Sequence, residues 1–240
     1  MIVMKNVSKK YGDFSAVSHM NLEISNGEIF GFLGPNGAGK TTTLKMMTGI
    51  TSLSEGSITI NDYDITKNAF LAKKEFGFVP DSPDILLRLK GREYLEFMAS
   101  IYQIKKDVAD ERVKALAEKF EIADALDDRI SSYSHGMRQK LIIIGVLLHQ
   151  PSNWILDEPL TGLDPKSAFT LKEMMREHAD AGNTVLFSTH VLEVAEKICD
   201  RVGILSHGKL VFVGTIAELK KQMHEDKSFE ELFLELTENA

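Results

Sequence analysis

Between residues 34 and 41 the chain reads Gly34-Pro35-Asn36-Gly37-Ala38-Gly39-Lys40-Thr41, which satisfies the spacing GxxxxGK[ST]. The chemistry such a stretch supports is phosphate binding. Glycines let the backbone curl until its N–H groups converge on phosphate oxygens, and a following helix adds the positive end of its dipole. Lys40 is expected to neutralise charge, Thr41 to ligate Mg²⁺, and Pro35, Asn36, Gly37, Ala38 and Thr42 to complete the cradle. A second stretch, NWILDEP, is an apolar strand-like run ending in Asp157-Glu158. Neighbours on a strand point to opposite faces, so one carboxylate can reach a metal shell while the next aligns a water. Asp157 is therefore expected at Mg²⁺ and Glu158 as general base. His190 closes a third run, TVLFSTH, where an α/β sheet presents its carboxyl ends, and it could hydrogen-bond the γ-phosphate or be an ordinary loop residue. Ser134, in SSYSHGMRQKL, precedes the apolar run LIIIGVLL, where a serine hydroxyl caps a helix.

These residues need a scaffold of strand ends and helix starts. Residues 1–30 alternate apolar and polar positions in IVMKNV and NLEI, and Asn26-Gly27 predicts a hairpin leading into EIFGFL. A helix near 40–49 precedes two short strands, SITI and FGFV. From about 92 to 149 the apolar spacing becomes helical, with Tyr94, Leu95, Met98, Ile101 and Tyr102 on one face and Asp107 as the cap of the next helix. Strand and helix then alternate through NWILDEP, Met174-Met175, NTVLFSTH, VGIL and KLVFV, the last two flanking a His207-Gly208 turn. Ser228 and Glu231 form a capping box for a final helix with Phe229, Leu232, Phe233 and Leu236 on one face. The fold class is α/β with a helical insertion.

Composition sets the outer limits. With 28 Lys and Arg against 35 Asp and Glu, the net charge of -7 argues against nucleic acid as a partner. The longest apolar run, 141–148, falls far short of the roughly 20 residues that cross a bilayer, and no secretory apolar segment opens the chain. The one cysteine, Cys199, lies in the apolar pattern of a helix with Val191, Val194, Ala195 and Ile198, and fits packing in a reducing compartment.

Taken together, these motifs resemble the ATP-binding-cassette (ABC) transporter ATPases over nearly the whole chain. GPNGAGKT is similar to the family's Walker A, ILDEP to Walker B, TGLDP (Gly162, Leu163, Asp164) to the D-loop and STH to the switch histidine. The resemblance implies a P-loop NTPase (RecA-like) core with an N-terminal antiparallel β-subdomain and an inserted helical subdomain. As one domain over 1–240, it divides into 1–83 with 150–240, and 84–149. It implies that Tyr11 stacks on adenine, although a tyrosine at a strand edge can equally serve packing. It also implies that YSHGM is the signature, with Ser134, His135 and Gly136 facing the γ-phosphate held by a second ABC ATPase subunit. One chain carries one Walker A and one signature, so two chains, as homodimer or heterodimer, are expected to close around two ATP molecules with Mg²⁺.

Two residues depart from the family's pattern. Asp81 stands where glutamine is usual; it can ligate Mg²⁺ but adds charge beside a triphosphate. An exposed-loop helix cap is its alternative reading. His135 replaces the first signature glycine, so an imidazole either crowds the phosphate or lends it a donor. The function implied is ATP hydrolysis with Lys40, Glu158 and His190 as catalytic residues, powering an integral membrane transporter subunit docked on the helical-subdomain groove. The protein would lie in the cytoplasm at the inner face of the membrane, and SFEELFLELT is similar to the endings of bacterial exporter subunits. The alternative is a soluble ABC ATPase acting in translation or repair.

Overall fold

The computed structural model describes residues 1–83, 86–223 and 227–238. The position 84, where the sequence divides core from helical insertion, lies outside them. Two sheets organise the described residues. The first holds β1 (Ile2–Tyr11), β2 (Phe14–Ile24), β4 (Glu55–Ile60) and β5 (Tyr63–Asp64), antiparallel in the order β2-β1-β4-β5. The second runs β10-β9-β3-β8-β7-β6, with β3 (Ile29–Leu33), β6 (Phe76–Val79), β7 (Asn153–Asp157), β8 (Thr184–Thr189), β9 (Arg201–Ser206) and β10 (Lys209–Gly214). It is parallel except for β10, which reverses on β9 at His207-Gly208, both at positive φ as the two-residue turn requires.

The hairpin expected at Asn26-Gly27 does not form. The chain turns there, with Gly27 at φ +81, but β3 leaves β2 and enters the other sheet between β8 and β9. The reason lies in burial: all five residues of β3 are buried, whereas β2 alternates in and out. A strand buried on both faces fits the middle of a parallel sheet, not the half-wet edge of a hairpin.

The two faces of the second sheet sort by parity. Ile155 of β7 and Leu186 of β8 pack with Phe30, Phe32, Leu44 and the inner face of the antiparallel sheet. Trp154, Leu156, Val185 and Phe187 face a second core. That core is built from α3 (Gly91–Ile101), α4 (Lys106–Lys119), α5 (His135–Leu147) and α6 (Pro165–Asp180). Of these, α5 is buried from Gln139 to Leu147, as its unbroken apolar run requires. Asp107 does not cap α4: Lys105 holds that position and Asp107 sits in the first turn, where a carboxylate still favours the helix dipole.

The remaining helices are α1 (Lys40–Met47), α2 (Ala69–Lys74), α7 (Leu192–Ile198), α8 (Ile216–Met223) and α9 (Phe229–Glu238). The α9 cap is as expected, Ser228 N–H donating to Glu231 Oε2 at 2.7 Å and Glu231 N–H to Ser228 Oγ at 3.2 Å. Cys199 closes α7 rather than lying inside it, and its Sγ occupies the space beside Gly31, 2.6 Å from where a Cβ would stand. Burial pushes that thiol far up, which suits packing and not nucleophilic chemistry.

Candidate functional site

Strand register brings the site together. Leu33 of β3 pairs with Thr189 of β8, and Ser188 pairs with Asp157 of β7, so three neighbouring strands end at one level. Immediately beyond these ends, β3 runs into the Gly-rich loop, β8 into His190 and β7 into Glu158. This is the carboxyl edge of a parallel sheet, where ligands bind in open α/β folds.

The loop 34–39 joins β3 to α1. Gly39 holds the N-cap position at φ +103, and a Cβ there would stand 2.7 Å from the Ala16 carbonyl, so only glycine fits. Among the described residues no side chain caps α1, which leaves its first amides for a ligand. Pro35, Asn36 and Gly37 form the exposed tip, and Ala38 beneath them is buried. Lys40 folds back over the loop, donating to the Gly34 carbonyl at 2.6 Å and to that of Pro35 at 3.3 Å. Burial lowers its ammonium pKa, opposed by the nearby Glu158 and Asp157 carboxylates. Thr41 is exposed and Thr42 half-buried.

Asp157 is 1% exposed. Burial raises its pKa; Ser188 and Thr41 hydroxyls oppose this by hydrogen bonding, while Asp81 and Glu158 add to it by charge. Asp81 therefore lies within electrostatic reach of the site, and among the described residues it caps no helix, the next one beginning at Gly91. Glu158 diverges from Asp157 for a reason other than strand alternation: β7 stops at Asp157, and Glu158 adopts φ +47. A non-glycine residue in that region is rare and marks a constrained turn. Ser188, to which the sequence assigned no role, holds both: its hydroxyl donates to Asp157 Oδ1 at 2.6 Å and accepts from the Glu158 N–H at 3.0 Å. His190 Nδ1 stands 3.0 Å from Glu158 Oε2. The signal for Ser188 in the sequence is its place two residues before His190.

Tyr11 is half exposed at the tip of the β1–β2 hairpin, paired with Phe14, and Lys9 Nζ lies 4.9 Å from its ring centre. At that exposure the ring is not part of the core. Ser134 caps α5 as expected, accepting from Met137 N–H at 3.2 Å. What His135 and Gly136 meet is Gly162 of the same chain. Asp164 caps α6 through the Ser167 N–H at 2.9 Å and pairs with Lys140 at 2.7 Å. The structure thus brings 34–42, Asp81, Asp157, Glu158 and His190 to one edge, and joins 134–136 to 162–164 as a separate cluster.

The donors around Asp157 suit a hard cation. Among the described residues no three His, Cys, Asp or Glu side chains form a ready cage. One buried carboxylate, its pKa raised by burial and further by acidic neighbours, with a bonded hydroxyl, matches the sparse oxygen set of Mg²⁺ that takes its other ligands from water and phosphate. Lys40 adds positive charge beside it.

A family model described as ABC transporter matches residues 17–161, more than half of the chain. The chain is 33% identical over 226 residues to the linearmycin resistance ATP-binding protein LnrL of Bacillus subtilis (strain 168), covering 94% of this chain and 73% of that protein. It is 32% identical over 240 residues to the probable multidrug ABC transporter ATP-binding protein YbhF of Escherichia coli (strain K12), covering 98% and 41%. A solved structure of an ATP binding subunit of an ABC transporter shares 31% identity at a TM-score of 0.94, with 99% of each chain covered.

Proposed function

Since this chain belongs to the ABC transporter family, as an ATP-binding and ATP-hydrolysing subunit, we propose that it powers export across a membrane by closing in pairs around ATP and Mg²⁺. The observation that carries the reading is the single edge shared by the Gly-rich loop, Asp157, Glu158 and His190. The relatives named for drug resistance and multidrug transport favour export over a role in translation or repair.

Each residue then has a task. The loop amides and the free start of α1 bind the phosphates, and Lys40 exchanges the Gly34 and Pro35 carbonyls for phosphate oxygens. Tyr11, half exposed at the hairpin tip, is the ring for the adenine. Thr41 and Asp157 would hold Mg²⁺, with Asp81 near them; bound there, the ion neutralises charge on the β- and γ-phosphate oxygens. Glu158 aligns a water and takes its proton, and His190, fixed by its Nδ1 contact, has Nε2 as the ring's other group for the γ-phosphate. Ser134 and Gly136 at the start of α5 complete the site of a second chain, so closure requires two copies or a related subunit.

Among the described residues no helix is long and apolar enough to cross a membrane. In this proposal an integral membrane subunit carries the transport path and docks where α3 and α4 meet the core, with this chain at the inner face of the membrane. The test uses Glu158→Gln, which retains the shape of the site and removes the base. Size-exclusion chromatography with light scattering should show monomers becoming dimers only with both ATP and Mg²⁺. A chain that remains monomeric under millimolar ATP and Mg²⁺ would overturn closure between two copies.

A further inference from the structure

We propose that His135 is a positioning residue that holds the 161–164 turn of its own chain, and through it Glu158, by packing on Gly162. Gly162 has φ +77 and carries no side chain. A Cβ there would overlap His135 Cδ2 and stand 3.0 Å from Nε2. The imidazole thus fills the space that any larger residue at 162 would claim. Gly136 supplies the second half of the contact: a Cβ on it would come within 2.5 Å of the Gly162 carbonyl oxygen, so the backbones approach as closely as two glycines allow.

A further tie lies beyond them. Lys140, one turn along α5 from Gly136, pairs with Asp164 Oδ2 at 2.7 Å, and Asp164 also receives the Ser167 N–H and hydroxyl at 2.9 and 2.8 Å. The turn is bonded back to its origin by Thr161 N–H donating to the Glu158 carbonyl at 3.1 Å. Residues 161–164 are therefore held between the starts of α5 and α6, and the constrained backbone of Glu158 is the other end of the same short segment. A ring packed in this way acts on the chain's own base. That differs from lending a donor to a phosphate on a partner, which needs the imidazole nitrogen rather than the ring's shape.

The link from turn to turnover rests on the reading of Glu158 as general base, while the packing itself does not. Hydrogen exchange by mass spectrometry on the nucleotide-free wild-type chain, His135→Gly and His135→Phe separates the two. His135→Gly should raise exchange across 159–164 by about tenfold and leave the peptides of α6 beyond Ser167 unchanged. His135→Phe, which retains a flat ring without its nitrogens, should preserve protection. Steady-state kinetics on the same variants should show a several-fold lower kcat in His135→Gly, the KM for ATP unchanged, and recovery in His135→Phe. Unchanged exchange in His135→Gly would overturn the packing role. Loss of kcat in both variants alike would replace positioning by a polar role of the imidazole. Neither result depends on dimers forming with Glu158→Gln, so the two readings fail separately.

Discussion

His190 Nδ1 lies 3.0 Å from Glu158 Oε2, joining the ends of β8 and β7 across the edge where the Gly-rich loop also emerges. The Glu158 side chain is 13% exposed and the histidine 58% exposed, so the pair spans from the interior to the mouth of the site. One nitrogen orients the carboxylate, so the proposed base is aligned before substrate arrives. His190→Ala should lower kcat by about 10²-fold, the low end of what a positioned acid–base pair contributes. Nucleotide binding, followed with a fluorescent ATP analogue, should be little changed; a large loss of affinity with kcat retained would show the histidine to be a binding group only.

Ser188 predicts a coupled loss. Its hydroxyl serves Asp157 and the Glu158 N–H together. Ser188→Ala leaves a buried carboxylate and a backbone donor short of partners, which should cost about 1–3 kcal/mol in urea unfolding. ATP hydrolysis should fall alongside, since Glu158 loses the bond that fixes its turn. Stability and activity both matching the parent would remove Ser188 from the site.

Asp81 bears on the proposed Mg²⁺ site. Its charge adds to the pressure on buried Asp157, which a divalent cation would relieve. Turnover should accordingly depend steeply on Mg²⁺, and Asp81→Gln should retain a larger share of its maximal rate at low Mg²⁺. Titrating ATPase activity against Mg²⁺ for both chains decides this, and superimposable curves would refute it.

His178 sets an acid limit on the fold. Its ring is stacked on Trp154 with centres 4.2 Å apart, and burial holds its pKa down to about 4. The unfolded chain titrates near 6.5, so below that it gains a proton that the folded ring refuses. Stability is full above about pH 6.5 and is lost as pH falls toward 4. His149, lowered mainly by burial, adds to this in the same direction. Because His178 is partly exposed, we expect about 1 kcal/mol between pH 7 and pH 5, read from urea midpoints. His178→Phe should flatten that dependence; the same slope in both would move the cause elsewhere.

Much of this was legible because the informative patterns are local. GPNGAGKT spans one strand end, one loop and one helix start, so its spacing alone specifies the conformation in which its amides converge. The apolar runs ending in Asp157 and Thr189 likewise announce buried strands. Ser134 and Ser228 cap the helices that come after them, as local hydrogen bonding dictates. The hairpin at Asn26-Gly27 misled because a turn signal is also local: it reverses the chain without saying which sheet receives the next strand.

Residue type and spacing, then, determined the phosphate loop, the strand ends and the family to which they belong. Tertiary structure decided the rest: that β8 lies between β3 and β7, that Glu158 turns away at φ +47, and that Ser188 bridges two carboxylate-bearing residues 31 and 30 positions away. It also decided that His135 meets Gly162. Local signals depend on a few neighbouring dihedral angles and travel with the sequence. Contacts between distant residues exist only after the sheets and helices have packed, and packing is set by the whole core rather than by any one motif.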